Sequence, residues 1–429
     1  MLPVTLLRDE RDRALTGLEK RNLPDAAATI DRIVALDDRR KSLQTRNDEL
    51  LAEKNSLSKE IGQLFKSGNK EEADGKRDRV NLIKDESAAL ETALAEVIVE
   101  LENELLQLPN IPHELVPAGK SAEDNEIYKA PNGELPTLGN DAKPHWELAE
   151  EYGIFSLELG VRTTGSGFPV FTGQGARLQR ALVNYFLDRN TAAGYTEYAP
   201  PLLVNEDTAR GTGQLPDKEG QMYYVGEDDL YLIPTAEVPL TNLYRGELLD
   251  PEELPVRLTG YTPCFRREAG SYGSHVRGLN RVHQFDKVEI VQLAPPAESY
   301  ARLDEMVAHV GALLDELELP YRILRLCGGD MGFTSAMTFD FEVWSAAQQR
   351  WLEVSSVSNF ETFQSNRLKL RYRTERGTEL LHTLNGSALA LPRIIAALLE
   401  NNQSADGILL PGVLHSYFGA DRLLPNRKS

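Results

Sequence analysis

The stretch TPCFRREAGSYGSHVRGLNRVHQFDKVE, residues 262–289, decides how this chain folds around its chemistry. Its opening, around Arg257 to Ala269, has strand character, as does its close, Arg281 to Leu293. Alternation puts Val282, Val288 and Ile290 on one face and Phe285, Lys287 and Glu289 on the other. Gly270, Ser271, Gly273, Ser274 and Gly278 between them read as a turn. Arg266 and Glu268 are two residues apart and share a face if the strand runs that far. The expected product is an antiparallel pair with one charged, aromatic-bearing face. Unpaired charges cost too much for that face to be ordinary core. It is either the solvated side of an exposed hairpin or a cradle for a charged ligand.

Phe265-Arg266-x-Glu268 followed by Arg281-x-x-x-Phe285 resembles the second signature motif of class II aminoacyl-tRNA synthetases. The longer strings TPCFRREAGS and HQFDKVE are similar, more narrowly, to the seryl-tRNA synthetases. The resemblance implies ATP binding, with Arg266 at the α-phosphate, Glu268 on the adenine side and Phe285 stacked on the purine. Val282 and the backbone of Arg267 belong to the same ATP-binding stretch, and Glu289 reaches the amino acid. The charges suit those roles, since a guanidinium fork matches phosphate oxygens and a carboxylate suits an ammonium group.

Composition sets outer bounds. A chain of 429 residues suggests two or three domains. The net charge of −19 means that any nucleic-acid contact must be local. Cys264 and Cys327 form no CxxC pair and read as reduced thiols of a cytoplasmic protein, with no zinc expected. No apolar run approaches a transmembrane length, and MLPVTLLRDE is charged too early for a secretory signal.

The first 110 residues differ in kind. From Asp25 to Leu108 there is no proline, and Leu36, Leu43, Leu50, Leu57 and Leu64 recur every seven residues with Ile33 and Ile61 at partner positions. Val80, Leu94, Leu101 and Leu108 continue in a second register, interleaved with Ile83, Leu90 and Val97. This is a coiled-coil pattern, broken at KSGNKEEADG by Gly68, Asn69 and Gly75, so two helices are expected to fold back as an antiparallel hairpin. Dimerisation is one use for such an arm. The window Arg32 to Lys84 carries 13 Lys/Arg against 10 Asp/Glu, leaving the rest of the chain at −22. That local basicity points to a phosphate backbone. The resemblance implies that the arm grips the long variable arm of tRNA(Ser).

Beyond the arm, a proline-rich polar stretch reads as a linker, and the body proper is expected near His145. Ala176 to Arg189 has helical periodicity and leads into YTEYAPPLLV, an order similar to the first class II motif, which builds a homodimer interface; an ordinary helix–strand connection fits equally well. Thr235, Ala236 and Glu237 lie in LYLIPTAEVPL and resemble a serine-binding loop, and GTGQLP at 211–216 is also similar to the family. Glu353, Val354, Ser355 and Ser356 resemble an ATP-binding element in which Glu353 and Ser356 offer hard oxygens to Mg²⁺. Arg367, Lys369, Arg371 and Arg373 are expected to alternate on one strand, either as a solvated edge or against tRNA. Asp330 reads as a turn residue. In HTLNGSALALPRIIAALLENNQ, 382–403, a strand ending at Thr383 and Leu384 is expected to pass Gly386 into a helix. This string resembles the third class II motif, with Arg393 at the γ-phosphate and Asn385 and Ser387 touching serine. Ala388 and Leu391-Pro392 depart from its usual residues.

The expected fold is therefore α+β: an antiparallel class II sheet flanked by helices at 111–429, with a helical hairpin at 1–110. The implied activity is ATP-dependent attachment of L-serine to tRNA(Ser) through seryl-adenylate. Arg266 and Arg393 are the catalytic residues, and tRNA(Sec) is a second substrate where the host has one. A ligase charging a carrier protein would lack the arm. A non-catalytic RNA-binding coiled coil would not keep Arg266, Glu289, Glu353 and Arg393 together.

Overall fold

The proline-free run forms two long helices, α1 (Ala26–Ser67) and α2 (Lys70–Gln107). They run antiparallel, because ion pairs join Arg32 to Glu104, Glu53 to Arg79 and Glu60 to Lys76. At ~1.5 Å per residue each spans roughly 60 Å. Gly68 ends α1 in the left-handed region, φ 86°, where its N–H reaches the carbonyls of Leu64 and Phe65. Gly75, expected in the turn, lies inside α2. The seam buries Ile33, Leu36 and Leu50 against Ile83, Val97 and Leu101, whereas Leu57, Ile61 and Leu64 near the turn are half-exposed. Asn47 sits buried in this seam and accepts a 2.6 Å hydrogen bond from Ser87 Oγ. A polar pair satisfied in one alignment only favours that register over a slipped one.

The computed structural model describes residues 1–131, 134–139, 141–268 and 277–426. The expected turn residues Gly270, Ser271, Gly273 and Ser274 lie outside the described residues. The chain divides into two units, Met1–Glu19 with Leu23–Pro109, and Lys20–Asn22 with Asn110–Ser429. No helix among the described residues is long and apolar enough to cross a membrane.

The second unit is built on one eight-stranded sheet. Its strands are β1 (Glu126–Lys129), β2 (Thr196–Glu197), β3 (Val256–Phe265), β4 (Gln284–Ala294), β5 (Tyr321–Arg325), β6 (Met337–Ser345), β7 (Arg350–Asn359) and β8 (His382–Ala390). They lie in the order β1-β5-β6-β7-β8-β4-β3-β2, antiparallel except for the last pair. The helices that matter here are α3 (His145–Tyr152), α4 (Gly173–Ala192), α5 (Glu237–Asn242), α6 (Ser299–Glu316), α7 (Phe363–Leu368) and α8 (Leu391–Asn401). Val288 and Ile290 of β4, Val357 of β7 and Leu384 of β8 join one large core with residues of α4, α6 and α8. On the other face of β4, Val291 and Leu293 enter a second cluster with Leu240 and Leu258. One end of that face is thus closed core, and the other end, with Phe285, Lys287 and Glu289, is open.

Three expectations are corrected here. The 111–144 stretch is not linker throughout, since Glu126–Lys129 forms the sheet's edge strand against β5. The third-motif strand begins rather than ends at His382 and runs through Gly386, where a Cβ would come 3.1 Å from Val357 Cγ2. The basic ladder does not exist. Arg367 is in α7, Lys369 caps that helix at φ 55°, and only Arg371 and Arg373 share a strand, Arg371–Thr374. One helical turn broke a two-residue period that looked continuous in the sequence.

Candidate active site

The open end of the sheet carries a cleft of about 460 Å³. Arg266 and Glu268 both line it, though not by strand alternation, because β3 stops at Phe265 and Glu268 adopts a left-handed φ of 48°. Turning the backbone there brings Glu268 back into the cleft, where its carboxylate lies 3.4 Å from Arg281 Nη1. The Arg266 guanidinium lies 5.4 Å from the centroid of the Phe285 ring, which preorganises both groups on one wall. Arg267 does not line the cleft; its N–H donates to the carbonyl of Gln221.

A second wall is polar and buried. Glu237 is the first residue of α5, and its N–H donates to Thr235 Oγ1 at 3.2 Å. Ala236 between them is fully buried and does not line the cleft. Glu289, at 0% exposure, pairs with Lys287 Nζ at 2.8 Å. The charges that ruled out ordinary core are therefore buried but matched. Asn385 Nδ2 donates both to Glu237 Oε2 (3.1 Å) and to Glu289 Oε1 (2.7 Å), and Ser387 Oγ donates to Glu289 Oε2 at 3.4 Å. β8 thus bridges two carboxylates that β4 and α5 supply. Burial, followed by the nearby charge of Glu289, pushes the Glu237 carboxyl up to about 7 against the hydrogen bond from Gln364.

The remaining predicted residues complete the rim. Val282, Glu353, Val354, Ser355 and Ser356 line the cleft, and so does Arg393 from the first turn of α8. Arg393 Nε donates to Asn280 O at 3.1 Å and Nη1 to Glu353 O at 2.6 Å, tying β7 to the returning limb of the 262–289 stretch. Ser356 Oγ is 3.5 Å from Glu353 Oε1. Across the strand pair Asp340 stands opposite Ser356, with Oδ1 buried and unpartnered. Burial and then the charge of Glu353 push the Asp340 carboxyl well above the usual carboxylate range. These hard oxygens fit a divalent cation that takes its other ligands from phosphate and water. Among the described residues no group of three or more His, Cys, Asp or Glu side chains is placed to hold a metal ion by itself.

The returning limb is anchored from below. His145 of α3 accepts the N–H of Leu279 at Nε2, 2.8 Å, so its proton sits on Nδ1, 2.6 Å from Glu400 Oε1. Both side chains are fully buried. Burial alone would raise the Glu400 carboxyl, but hydrogen bonds from His145 and Ser345 hold it below the usual range. Gly278 packs on this imidazole at φ 70°, and a Cβ there would fall 2.2 Å from Nε2. Gly278→Ala is therefore expected to cost about 2 kcal/mol of stability, from backbone strain and displacement of the limb. Thermal unfolding checks this, and an unchanged melting temperature would mean the limb is not held here.

Sequence reasoning passed over several of these groups. Gln214 lines the cleft from GTGQLP, a segment whose spacing singles out no side chain. Gln221 and Asn280 line it as well, and Gln364 stands behind Glu237. No periodicity marks them, because their partners lie far along the chain; Gln221 Oε1, for instance, accepts the N–H of Glu268, 47 residues on. Asp330 accepts a 2.8 Å bond from Asn125 and lies away from the cleft, as a turn residue would.

Two family models match the chain: "Seryl-tRNA synthetase N-terminal domain" at residues 1–112 and "tRNA synthetase class II core domain (G, H, P, S and T)" at 223–402. It is 50% identical over 428 residues to a serine–tRNA ligase of Salinibacter ruber, covering 99% of both chains. It is 45% identical to that of Chlorobium chlorochromatii, covering 98% of this chain and 99% of the other. Among solved structures, seryl-tRNA synthetase from Pyrococcus horikoshii complexed with ATP superposes with a TM-score of 0.92 at 33% identity, covering all of both chains. Cytoplasmic serine–tRNA ligase from Naegleria fowleri in complex with AMP superposes at 0.87 and 25%, covering 100% and 99%.

An antiparallel sheet whose open end gathers Arg266, Phe285 and Arg393 around a polar cleft is the core of a class II aminoacyl-tRNA synthetase. The chain belongs to the serine–tRNA ligase family, the enzymes that attach serine to tRNA.

Proposed function

We propose that the cleft first joins serine to ATP as seryl-adenylate and then passes the seryl group to the terminal ribose of tRNA(Ser). The observation that carries this reading is the juxtaposition of Arg266 over Phe285 with the bridged carboxylates Glu237 and Glu289. Serine's carboxylate attacks the α-phosphorus of ATP, and the bond to pyrophosphate breaks. The ribose hydroxyl then attacks the seryl carbonyl, and AMP leaves. No side chain needs to become a nucleophile, so catalysis is positioning plus charge neutralisation.

Arg266 holds the α-phosphate and Arg393 the γ-phosphate. Phe285 stacks on the purine, with Glu268 at its edge and Val282, Val354 and Ser355 completing the wall. Thr235, Glu237, Glu289, Asn385 and Ser387 take the ammonium and hydroxyl groups of serine. Glu353 and Ser356 would hold Mg²⁺, which would supply charge neutralisation at the phosphates of ATP. Because the serine site's buried polar groups require the hydroxyl, alanine leaves them unmet and is rejected.

The basic side of the α1–α2 hairpin binds the tRNA, and the same grip would serve tRNA(Sec). The enzyme works as a cytoplasmic homodimer. Serine-dependent exchange of labelled pyrophosphate into ATP tests the reading, and equal exchange with alanine would sink the serine assignment.

The ionisation of Glu237 gives a pH prediction. An ammonium group needs the carboxylate, so KM for serine is expected to rise as pH falls through about 7. In the free enzyme the sign is opposite. A carboxyl whose pKa is raised from 4.5 to about 7 by folding favours the folded state when protonated, and this stabilisation is lost as pH rises across that window. Exchange kinetics and thermal unfolding between pH 5 and 9 check both, and a KM for serine that is flat across pH 7 would contradict the role given to Glu237.

A further inference from the structure

Behind Glu237 lies a side chain with no place in the reaction as drawn so far. Gln364, on α7, is fully buried. Its Nε2 donates to Glu237 Oε1 at 2.7 Å and to the carbonyl of Thr212 at 3.2 Å, while its Oε1 accepts from Thr383 Oγ1 at 2.6 Å. Each polar atom of the amide is therefore used, and each partner belongs to a different element. Thr212 ends the helix Glu206–Thr212 where it enters the GTGQLP turn whose Gln214 lines the cleft, Thr383 belongs to β8 two residues before Asn385, and Glu237 is the buried carboxylate. Three residues along α7, Arg367 Nη1 donates to the carbonyls of Arg210 (2.9 Å) and Leu215 (3.3 Å), on either side of that turn. α7 thus braces the 210–216 segment from both sides and presents one amide N–H to Glu237.

We propose that Gln364 is a positioning residue for serine selection, holding the Glu237 carboxylate in the rotamer that meets the substrate and favouring its ionised form. The inference rests on the reading that Glu237 contacts serine. The groups facing Glu237 are Glu289 and Lys287 from β4, Arg266 beyond the end of β3, Asn385 from β8 and Gln364 from α7. Glu289 disfavours a second negative charge here, whereas Lys287, Arg266 and the two amide donors favour it. Gln364 is the neutral donor among them that also ties the carboxylate to the GTGQLP turn. Replacing it by an acceptor would turn attraction into repulsion without changing shape.

The test is serine-dependent pyrophosphate exchange by the full chain between pH 6 and 9, comparing wild type with Gln364→Glu, Gln364→Met and Glu237→Gln. Gln364→Met, which fills the space but donates nothing, is expected to raise KM for serine about tenfold, the equivalent of one lost hydrogen bond to a charged group. KM for ATP should be unchanged, and the pH below which serine binding weakens should move upward. Gln364→Glu should behave near wild type at pH 6, where a shared proton bridges the two carboxyls, and lose serine affinity by tenfold or more at pH 9. That loss reverses with pH in one preparation, so a folding defect does not mimic it. Gln364 variants with wild-type KM for serine and an unmoved pH profile, beside a damaged Glu237→Gln, would overturn the proposal alone. An undamaged Glu237→Gln would overturn the serine placement beneath it.

Discussion

Arg266→Ala is expected to reduce serine-dependent pyrophosphate exchange by about a thousandfold or more, with the protein still folded. The α-phosphorus must accept an incoming carboxylate, so two anionic groups meet and negative charge builds on the non-bridging oxygens. A guanidinium already fixed at the site neutralises that charge without reorganising at the moment of reaction, an effect of several kcal/mol. Arg266 is fixed in this way: its N–H donates to the carbonyl of His283, its own carbonyl meets His283 Nδ1 at 3.0 Å, and its guanidinium lies 5.4 Å from the centroid of the Phe285 ring. The side chain is part-exposed and lines an open cleft, so its loss leaves no closed cavity and should keep the melting temperature within a few degrees of wild type. The kinetic signature is a fall in kcat with a smaller change in KM for serine, because Glu237 and Glu289 remain. Exchange at near wild-type rate would remove Arg266 from the phosphate and with it the orientation assigned to both substrates.

The second large effect concerns the hairpin. Arg32 and Glu104 face each other across α1 and α2 at 2.8 Å. Excising 33–103 and joining that pair through about four Gly/Ser residues, a reach sufficient for the gap, removes nearly all of the seam from both sides at once. Aminoacylation of tRNA(Ser) is expected to fall at least about a hundredfold, while pyrophosphate exchange stays within about threefold of wild type. The residues assigned to ATP and serine all lie between Thr235 and Arg393, whereas the exposed cations Arg39, Lys59, Lys66, Lys70 and Lys84 lie in the excised segment. Those five make no ion pair among the described residues and are available to phosphates, unlike Arg79, which is held between Glu53 and Glu86. A contact resting on such cations weakens steeply with salt, so raising the ionic strength should reduce charging by the intact chain far more than exchange. Full charging by the shortened chain would give the hairpin another role, most simply association of two copies.

Some of this was legible from sequence because it depends on short-range geometry. A seven-residue leucine repeat without proline can bury its stripe only as a coiled coil, and Gly68 at its break can turn the chain where other residues resist. The strand character of 284–294 follows from alternation, whereas the charges on its polar face fitted a solvated hairpin as well as a ligand cradle, and only the family resemblance chose between them. Other features were decided by contacts that no local pattern encodes. Glu268 reaches the cleft through a left-handed turn instead of a strand. Arg367 was read as one rung of a ladder, yet it lies in a short helix, its Nη1 on the carbonyls of Arg210 and Leu215. Lys287 and Glu289 could be read as polar but not as buried, because their burial depends on each other and on Asn385, 96 residues beyond Glu289. Gln364 gave no signal at all, since its meaning lies in Glu237, Thr212 and Thr383, which sheet pairing and the packing of α7 bring together. Periodicity records which side of an element is apolar, a property of neighbours along the chain. The ionisation and aim of a buried carboxylate depend on groups brought near it by folding, so the tertiary structure alone could decide them.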